Sequence, residues 1–270
     1  AKRLFRRGAK IYSQNAEDGM LHEIFERIGT TNKTFVEFGC GDGLENNTLA
    51  LVLAEWRGLW IDSSSRAITN IQNHFGSVMK TGRLAVVESL ITRENINQLI
   101  AGNLELKTEE IDLLSIDIDG NDAHVFNAIN VIRPRVVVIE YNAKFPPPIQ
   151  FSVEYDADHV WQGDDYVGAS LSYLEKLFAG KGYSLVGCDL VGVNAFFVRD
   201  NLVEGLFSEP LTAENHYEPF RSYLSGRLSG PVTSYSSIGK ILSATVKLSS
   251  ADDCYPFAQL GRRQSTSIKS

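Results

Sequence analysis

Acidic side chains recur where the apolar runs of this chain end. Glu37 lies within Phe35-Val36-Glu37-Phe38, and Asp62 closes Gly58-Leu59-Trp60-Ile61-Asp62. Glu88 and Ser89 follow the run at 84–87, Asp117 and Asp119 the run at 111–116, and Glu140 and Asn142 the run at 136–139. Five runs of strand length, each tipped with a carboxylate, are more than helix capping alone requires. A carboxylate there accepts hydrogen bonds from a diol, pairs with a cationic ligand group, or takes a proton from an attacking hydroxyl. Asp62, 25 residues after Glu37 and followed by Ser63, suits both hydroxyls of a ribose. Glu88 or Ser89 suits the edge of an adenine. Asp117 and Asp119 share one face of an extended segment because their spacing is two, and so do Glu140 and Asn142.

The first run leads into Gly39-Cys40-Gly41-Asp42-Gly43. Three alternate glycines leave no side chain between backbone and ligand and permit positive φ. Asn46, Asn47 and Thr48 are N-cap candidates for a helix over 49–56. Strand, glycine turn and helix start make a nucleotide-binding crevice. The dinucleotide fingerprint GxGxxG needs glycine at 44, where Leu44 stands. GxGxG with an acid two residues before its first glycine resembles motif I of the class I S-adenosylmethionine (SAM) methyltransferases. In those enzymes the acid faces the charged methionine end of the cofactor, which is the role the resemblance implies for Glu37.

The rest of the pattern must position these groups. Helices are expected over 20–28, capped by Ser13 or Asn15, and then over 67–75, 92–100, 125–132 and 171–178, alternating with five strands, the signature of a parallel α/β sheet. Strands at 183–190 and 194–199 are too close for anything but antiparallel pairing. The expectation is an α/β, Rossmann-like three-layer sandwich, with a mostly parallel seven-stranded sheet and an antiparallel C-terminal strand. Its expected division is a basic arm and first helix over 1–30, a cofactor-binding domain over 31–200, and a C-terminal extension over 201–270. That extension would be helical near 217–224 and otherwise a loose tail, like the basic residues 2–10. Pro146-Pro147-Pro148 opens an irregular stretch to Gly168, and long loops beyond strand ends commonly carry function.

Composition narrows the partners. The net charge is −7, yet residues 1–10 carry five basic residues and no acid. Residues 221–270 carry seven basic residues against Asp252 and Asp253. The acidic body argues against nucleic acid, while the basic ends offer contact with an anionic surface. No apolar run is long enough for a membrane span, and Cys40, Cys188 and Cys254 form no metal-type pairing. A reducing cytoplasm is the expected compartment.

Methyl transfer from a sulfonium to oxygen needs alignment, exclusion of water and removal of a proton. Asp119 is the candidate base, with His124 and His159 behind it, and Asp117 is its neighbour in the catalytic set. An alternative use of these acids is to bind Mg²⁺ and lower the hydroxyl pKa. Asp117, Glu140 and Asn142 occupy positions resembling the metal ligands of catechol-type O-methyltransferases, from whose Asp-Asn pair Glu140-Tyr141 departs.

Ser13-Gln14-Asn15-Ala16-Glu17-Asp18-Gly19, Glu37-Phe38-Gly39 and Ser115-Ile116-Asp117-Ile118-Asp119-Gly120 together resemble the FkbM branch of SAM-dependent methyltransferases over roughly residues 11–200. The branch often has Glu where this chain has Asp119. The resemblance implies O-methylation of a sugar or polysaccharide-like hydroxyl, with Gln14 and Glu17 lying over the cofactor. The expected cofactor set is Gln14, Glu37, Gly39, Gly41, Gly43, Asp62, Ser63, Glu88, Ser89 and Asp117. Asn142, Trp161 and Tyr166 are the expected acceptor contacts, since aromatics with carboxylates and amides suit sugar rings. Arg199 and Lys144 offer cations for a phosphate or uronate. A nicotinamide-dependent oxidoreductase is the enzymatic alternative, disfavoured by Leu44 and the closing hairpin. A non-catalytic interaction module on the same fold is the other.

Overall fold

Residues 2–105 and 108–221 are described here from a computed structural model. Strands β1 (Thr34–Phe38), β2 (Arg57–Asp62), β3 (Leu84–Glu88), β4 (Glu110–Ile116) and β5 (Arg133–Glu140) are parallel. Between them run α2 (Leu49–Leu53), α3 (Ser65–Lys80), α4 (Ile96–Asn103) and α5 (Asp122–Ala128), while α1 (Glu17–Ile28) precedes β1. After α6 (Leu171–Ala179) come β6 (Tyr183–Cys188) and β7 (Asn194–Arg199), and α7 (Ala213–His216) follows. The sheet order is β3-β2-β1-β4-β5-β7-β6. Only β7 runs against the others, inserted between β5 and β6.

Alternation along each strand builds two cores. Val36, Phe38, Leu59, Ile61, Leu114, Ile116, Val137 and Ile139 face one side, where α4, α5 and α6 cover them. Phe35, Trp60, Leu113, Val136 and Val138 face the other, beneath α1, α2 and α3. The central strands are therefore wet only at their two ends, while the edge strand β3 is half-buried over most of its length. Reversal of strand order occurs beside β1, so a crevice opens between the tips of β1 and β4.

Several boundaries differ from the sequence expectation. Helix α2 stops at Leu53, because Glu55 turns into the left-handed region at φ 63° before β2. Helix α5 begins at Asp122 rather than 125 and ends at Ala128. Asp122 anchors that start, accepting from the Ile118 and Gly120 amides at 2.9 and 2.8 Å. Neither Ser13 nor Asn15 is the N-cap of α1, which is Ala16 and offers no capping side chain, but Ser13 Oγ still accepts from the Asp18 amide in the first turn at 3.2 Å. The basic N-terminal residues are not loose. Leu4 is buried against the core, and Arg3 donates to Asn215 Oδ1 at 2.6 Å. Beyond β7, Phe207 and Ala213 pack into the two cores, and Tyr217 donates to the Ala143 carbonyl at 2.6 Å. Helix α7 lies ahead of the helix expected near 217–224, where residues 217–221 are non-helical and 222–224 fall outside the described residues. No helix among the described residues is long and apolar enough to cross a membrane.

Candidate active site

The glycine loop is held from both sides. Gly39 has φ 70°, and a Cβ there would lie 1.6 Å from the Asp117 carbonyl oxygen, so β1 and β4 approach as closely as they do only because position 39 has no side chain. Glu37 points into the protein rather than toward a ligand. Its carboxylate accepts from the Asn47 amide at 2.9 Å and from the Thr48 hydroxyl, which in turn accepts from Trp60 Nε1 at 2.7 Å. Burial pushes Glu37 up to about 7. The acid expected to meet the cofactor is instead a buried tie between β1, the start of α2 and β2.

Asp62 closes the opposite side of the loop. Its Oδ2 accepts from the Gly41 amide and its Oδ1 from the Ser64 amide, both at 2.8 Å. The Ser89 amide donates to the Asp62 carbonyl at 3.0 Å, which brings the tip of β3 alongside. Gln14, Gly39, Gly41, Asp62, Ser63, Ser89, Asp117, Asp119, Glu140 and Trp161 all line one cavity of about 680 Å³. Besides Glu37, two expected cofactor contacts are elsewhere. Glu88 turns outward to the Ser65 hydroxyl, and Gly43 lies under the Trp60 and Phe75 rings.

On the far wall Asp117, Asp119 and Glu140 each bring a carboxylate oxygen within 4.8 Å of the other two. Burial, reinforced by the neighbouring negative charges, holds Asp117 and Glu140 well above the ordinary carboxylate range. Asp119 is raised by burial and by Asp122, but His159 opposes the shift. It is the exposed member of the trio, with backbone φ 56°, a left-handed conformation uncommon for a non-glycine residue and typical of functional sites. Asn142, the expected third metal ligand and an acceptor contact, is not with them. Its amide donates to the Asp165 and Val167 carbonyls at 2.9 and 3.2 Å, holding the following loop. Asp119 takes its place in the cluster.

The long loop folds over the mouth. His159 contacts the Asp119 carbonyl at 3.1 Å, and Asn121 donates to the Asp156 carbonyl at 2.7 Å. Gly120 makes room for the His159 ring, since a Cβ would sit 2.3 Å from it. Trp161 is 47% exposed at the rim. Tyr166 packs edge-on against Phe151 and accepts from the Glu154 amide at 3.0 Å, while still lining an adjoining cavity of about 500 Å³ that shares His159 and Val160 with the first. His124 is remote from the trio's cavity, its ring against Tyr155 and its Nε2 at 2.8 Å from the Val153 carbonyl. Arg199 is at the wrong end of the sheet, because β7 runs antiparallel, and it pairs there with Glu110 at 2.7 Å. Lys144 pairs with Asp165 at 3.0 Å. Sequence reasoning missed Asn121 and Val160 as lining residues; Asn121 follows Asp-Gly in the strand-four turn, and that was its one signal.

A crevice of this size, with free carboxylate lone pairs on Asp62, a side-chain-free loop and an acidic wall, fits SAM, whose adenosine is rich in donors and whose methionine end is cationic. The crevice also matches its place among known proteins. A model of the methyltransferase FkbM domain matches residues 32–181. No curated protein matches the sequence. Among solved structures, a putative caffeoyl-CoA O-methyltransferase from Staphylococcus aureus is 13% identical, with 72% of this chain and 87% of that one covered and a TM-score of 0.45. A SAM-dependent methyltransferase from Clostridium acetobutylicum is 14% identical, with 70% and 92% covered and a TM-score of 0.40. The chain spans 61% of the C-terminal domain of precorrin-6Y C5,15-methyltransferase from Rhodobacter capsulatus, at 17% identity, 45% of this chain and a TM-score of 0.33. The assignment rests on the family match, which spans more than half of the chain and contains the glycine loop, Asp62, the acidic trio and the loop over them: the protein belongs to the methyltransferase FkbM family.

Proposed function

We propose that the enzyme methylates a hydroxyl of an uncharged, sugar-like acceptor, with Asp119 as the proton acceptor. The observation that carries this reading is the adjoining cavity. It is lined by Glu154, Asp156, Asp158 and Asp164 together with Tyr155 and Tyr166, and it meets the cofactor crevice at His159, whose ring nitrogen reaches the Asp119 carbonyl. Carboxylates beside aromatic rings accept from sugar hydroxyls and pack on the ring's apolar face. The same four acids repel phosphates and uronates, while Lys144 and Arg199 are engaged elsewhere.

SAM, when bound, supplies an electrophilic methyl group on a sulfonium. The glycine loop and Asp62 would hold its adenosine, with Ser89 beside it, and Asp117 and Glu140 would offer counter-charge to its cationic end. Asp119, the exposed acid of the trio, takes the hydroxyl proton. Trp161 covers the mouth and excludes water. The test is incubation with labelled SAM and matched panels of neutral, uronic and phosphorylated saccharides, read by mass spectrometry. Label on neutral saccharide oxygen supports the proposal. Label only on acidic saccharides, or on nitrogen or carboxylate, overturns it.

A further inference from the structure

At the other end of the sheet, beyond the starts of β1, β2 and β3, lies a cavity of about 820 Å³ lined by Lys33, Arg57, Arg83, Glu55 and Glu105 among others. A cation opens β2, Arg57, and another immediately precedes each of β1 and β3, Lys33 and Arg83. Gly58 pairs with Leu84, and its amide donates to the Arg83 carbonyl at 2.8 Å. One residue back, Arg57 and Arg83 therefore stand side by side, leaving the same face of strands about 4.8 Å apart. Like charges placed directly opposite one another are destabilising unless something neutralises them. Among the described residues the neutralisation is slight. Arg57 has a single ion pair, 4.0 Å from a Glu105 side chain that is 97% exposed, and no carboxylate lies within that distance of Arg83 or Lys33. An ion pair of that kind contributes little in water.

The backbone that carries the third cation is held in place. The buried Asp112 carboxylate accepts from the Thr31, Asn32 and Lys33 amides at 2.7–3.0 Å and pairs with Arg135 at 2.8 Å. That grip fixes Lys33 in the left-handed region at φ 52°. Two adjacent guanidiniums and a lysine whose backbone is held beside them around one cavity match the oxygens of a phosphoryl group, to which arginine binds bidentately. The volume is that of a small-molecule pocket, with room for a body attached to the phosphate.

We propose that this cavity binds a phosphate monoester, its phosphoryl oxygens held by Arg57 and Arg83 with Lys33 completing the site. It is separate from the methyl-transfer crevice and faces the opposite end of the sheet. The test uses the full chain, titrated with inorganic phosphate, glucose 1-phosphate and AMP and followed by amide NMR shifts. The expected result is shifts at Lys33, Arg57, Gly82 and Arg83, with affinity falling about tenfold or more in Arg57→Gln/Arg83→Gln, as loss of charged hydrogen bonds requires. Equal binding of all three ligands identifies the phosphoryl group alone as what is recognised. Tighter glucose 1-phosphate marks a sugar phosphate, and tighter AMP a nucleotide. Should the double variant fail to fold, Lys33→Gln, an exposed change, is expected to weaken binding about threefold, well under the full value of one such bond. Shifts confined to the SAM crevice, no shift with any ligand, or unchanged affinity in the variants would overturn the proposal.

Discussion

Replacing Asp62 tests the cofactor crevice most directly. A carboxylate offers about four acceptor positions, and the Gly41 and Ser64 amides occupy two of them. Two remain for the ribose diol. A hydrogen bond to a charged group is worth about 1.5–3 kcal/mol, so losing both removes about 3–6 kcal/mol of SAM binding. That is a rise in Kd of about 10²–10⁴ for Asp62→Ala. Asp62→Asn keeps one accepting oxygen and should lie between the variant and the native protein. Because the same carboxylate also holds the glycine loop, hydrogen exchange at Gly41 and Ser64 should quicken in Asp62→Ala even without cofactor. Calorimetry supplies the affinity, and turnover at saturating SAM should survive, since Asp62 is on the opposite wall from the trio. A Kd within about threefold of the native value, less than a single hydrogen bond is worth, would refute the assignment of this end of the crevice to the ribose.

Asp119→Asn should lower kcat by about 10²–10⁴, the usual share of a general base, while SAM affinity changes little. The same variant should raise Tm, because a neutral amide replaces one of three crowded carboxyl groups that cannot all be ionised together; a fall in Tm would contradict the crowding seen in the trio. Gly39→Ala meets both a left-handed φ and the Asp117 backbone, and should cost about 2–5 kcal/mol in denaturant unfolding. Gly41→Ala, with φ 56° and open space around it, should cost only about 1–2 kcal/mol. For Glu37, the folded pKa of about 7 stands above the ordinary 4.5, so the folded state binds the extra proton and stability falls as pH rises between those values. Glu37→Gln should flatten that part of the stability profile, measured as the difference in Tm between pH 5 and pH 8; an unchanged slope would show that Glu37 is ionised in the fold.

What the sequence disclosed and what it withheld divide along one physical line. Strand ends are visible because apolar runs stop there, and the ends of parallel strands must share an edge, so Asp62, Asp117, Asp119 and Glu140 converge as expected. Side-chain direction within a tip is not visible. Glu37 sits one residue inside β1 and turns into the sheet toward Thr48, while Asn142 sits two residues beyond β5 and turns back to tie its own loop. Tyr166 reads as a sugar contact by type, yet its ring also has Phe151 to pack against. Arg199 was misplaced by direction of travel, since an antiparallel strand ends at the opposite edge. The closure of His159 over Asp119 spans 40 residues and depends on Gly120 being bare, a fit no local spacing announces.

The acidic trio poses a question of counter-charge. Three carboxylates with oxygens within 4.8 Å cannot all be ionised without a cation or a shared proton, and burial together with the neighbouring negative charges pushes Asp117 and Glu140 toward their protonated forms. The methionine end of SAM carries an ammonium, a sulfonium and a carboxylate, a single positive charge in all. If that end occupies the acidic wall, it replaces protons as the counter-charge and lowers the pKa of the acids it meets. Binding must then release protons, and by linkage the affinity for SAM must rise with pH while those acids are still protonated in the free protein. Calorimetry in two buffers of different ionisation enthalpy measures the number released, expected to be above zero near neutral pH. S-Adenosylhomocysteine, which keeps the ammonium but has a neutral thioether, should release fewer. On this account a chelator leaves SAM affinity unchanged and millimolar Mg²⁺ does not raise it. Proton release of zero from pH 6 to pH 8, or affinity that climbs with added Mg²⁺, would place a different cation among Asp117, Asp119 and Glu140.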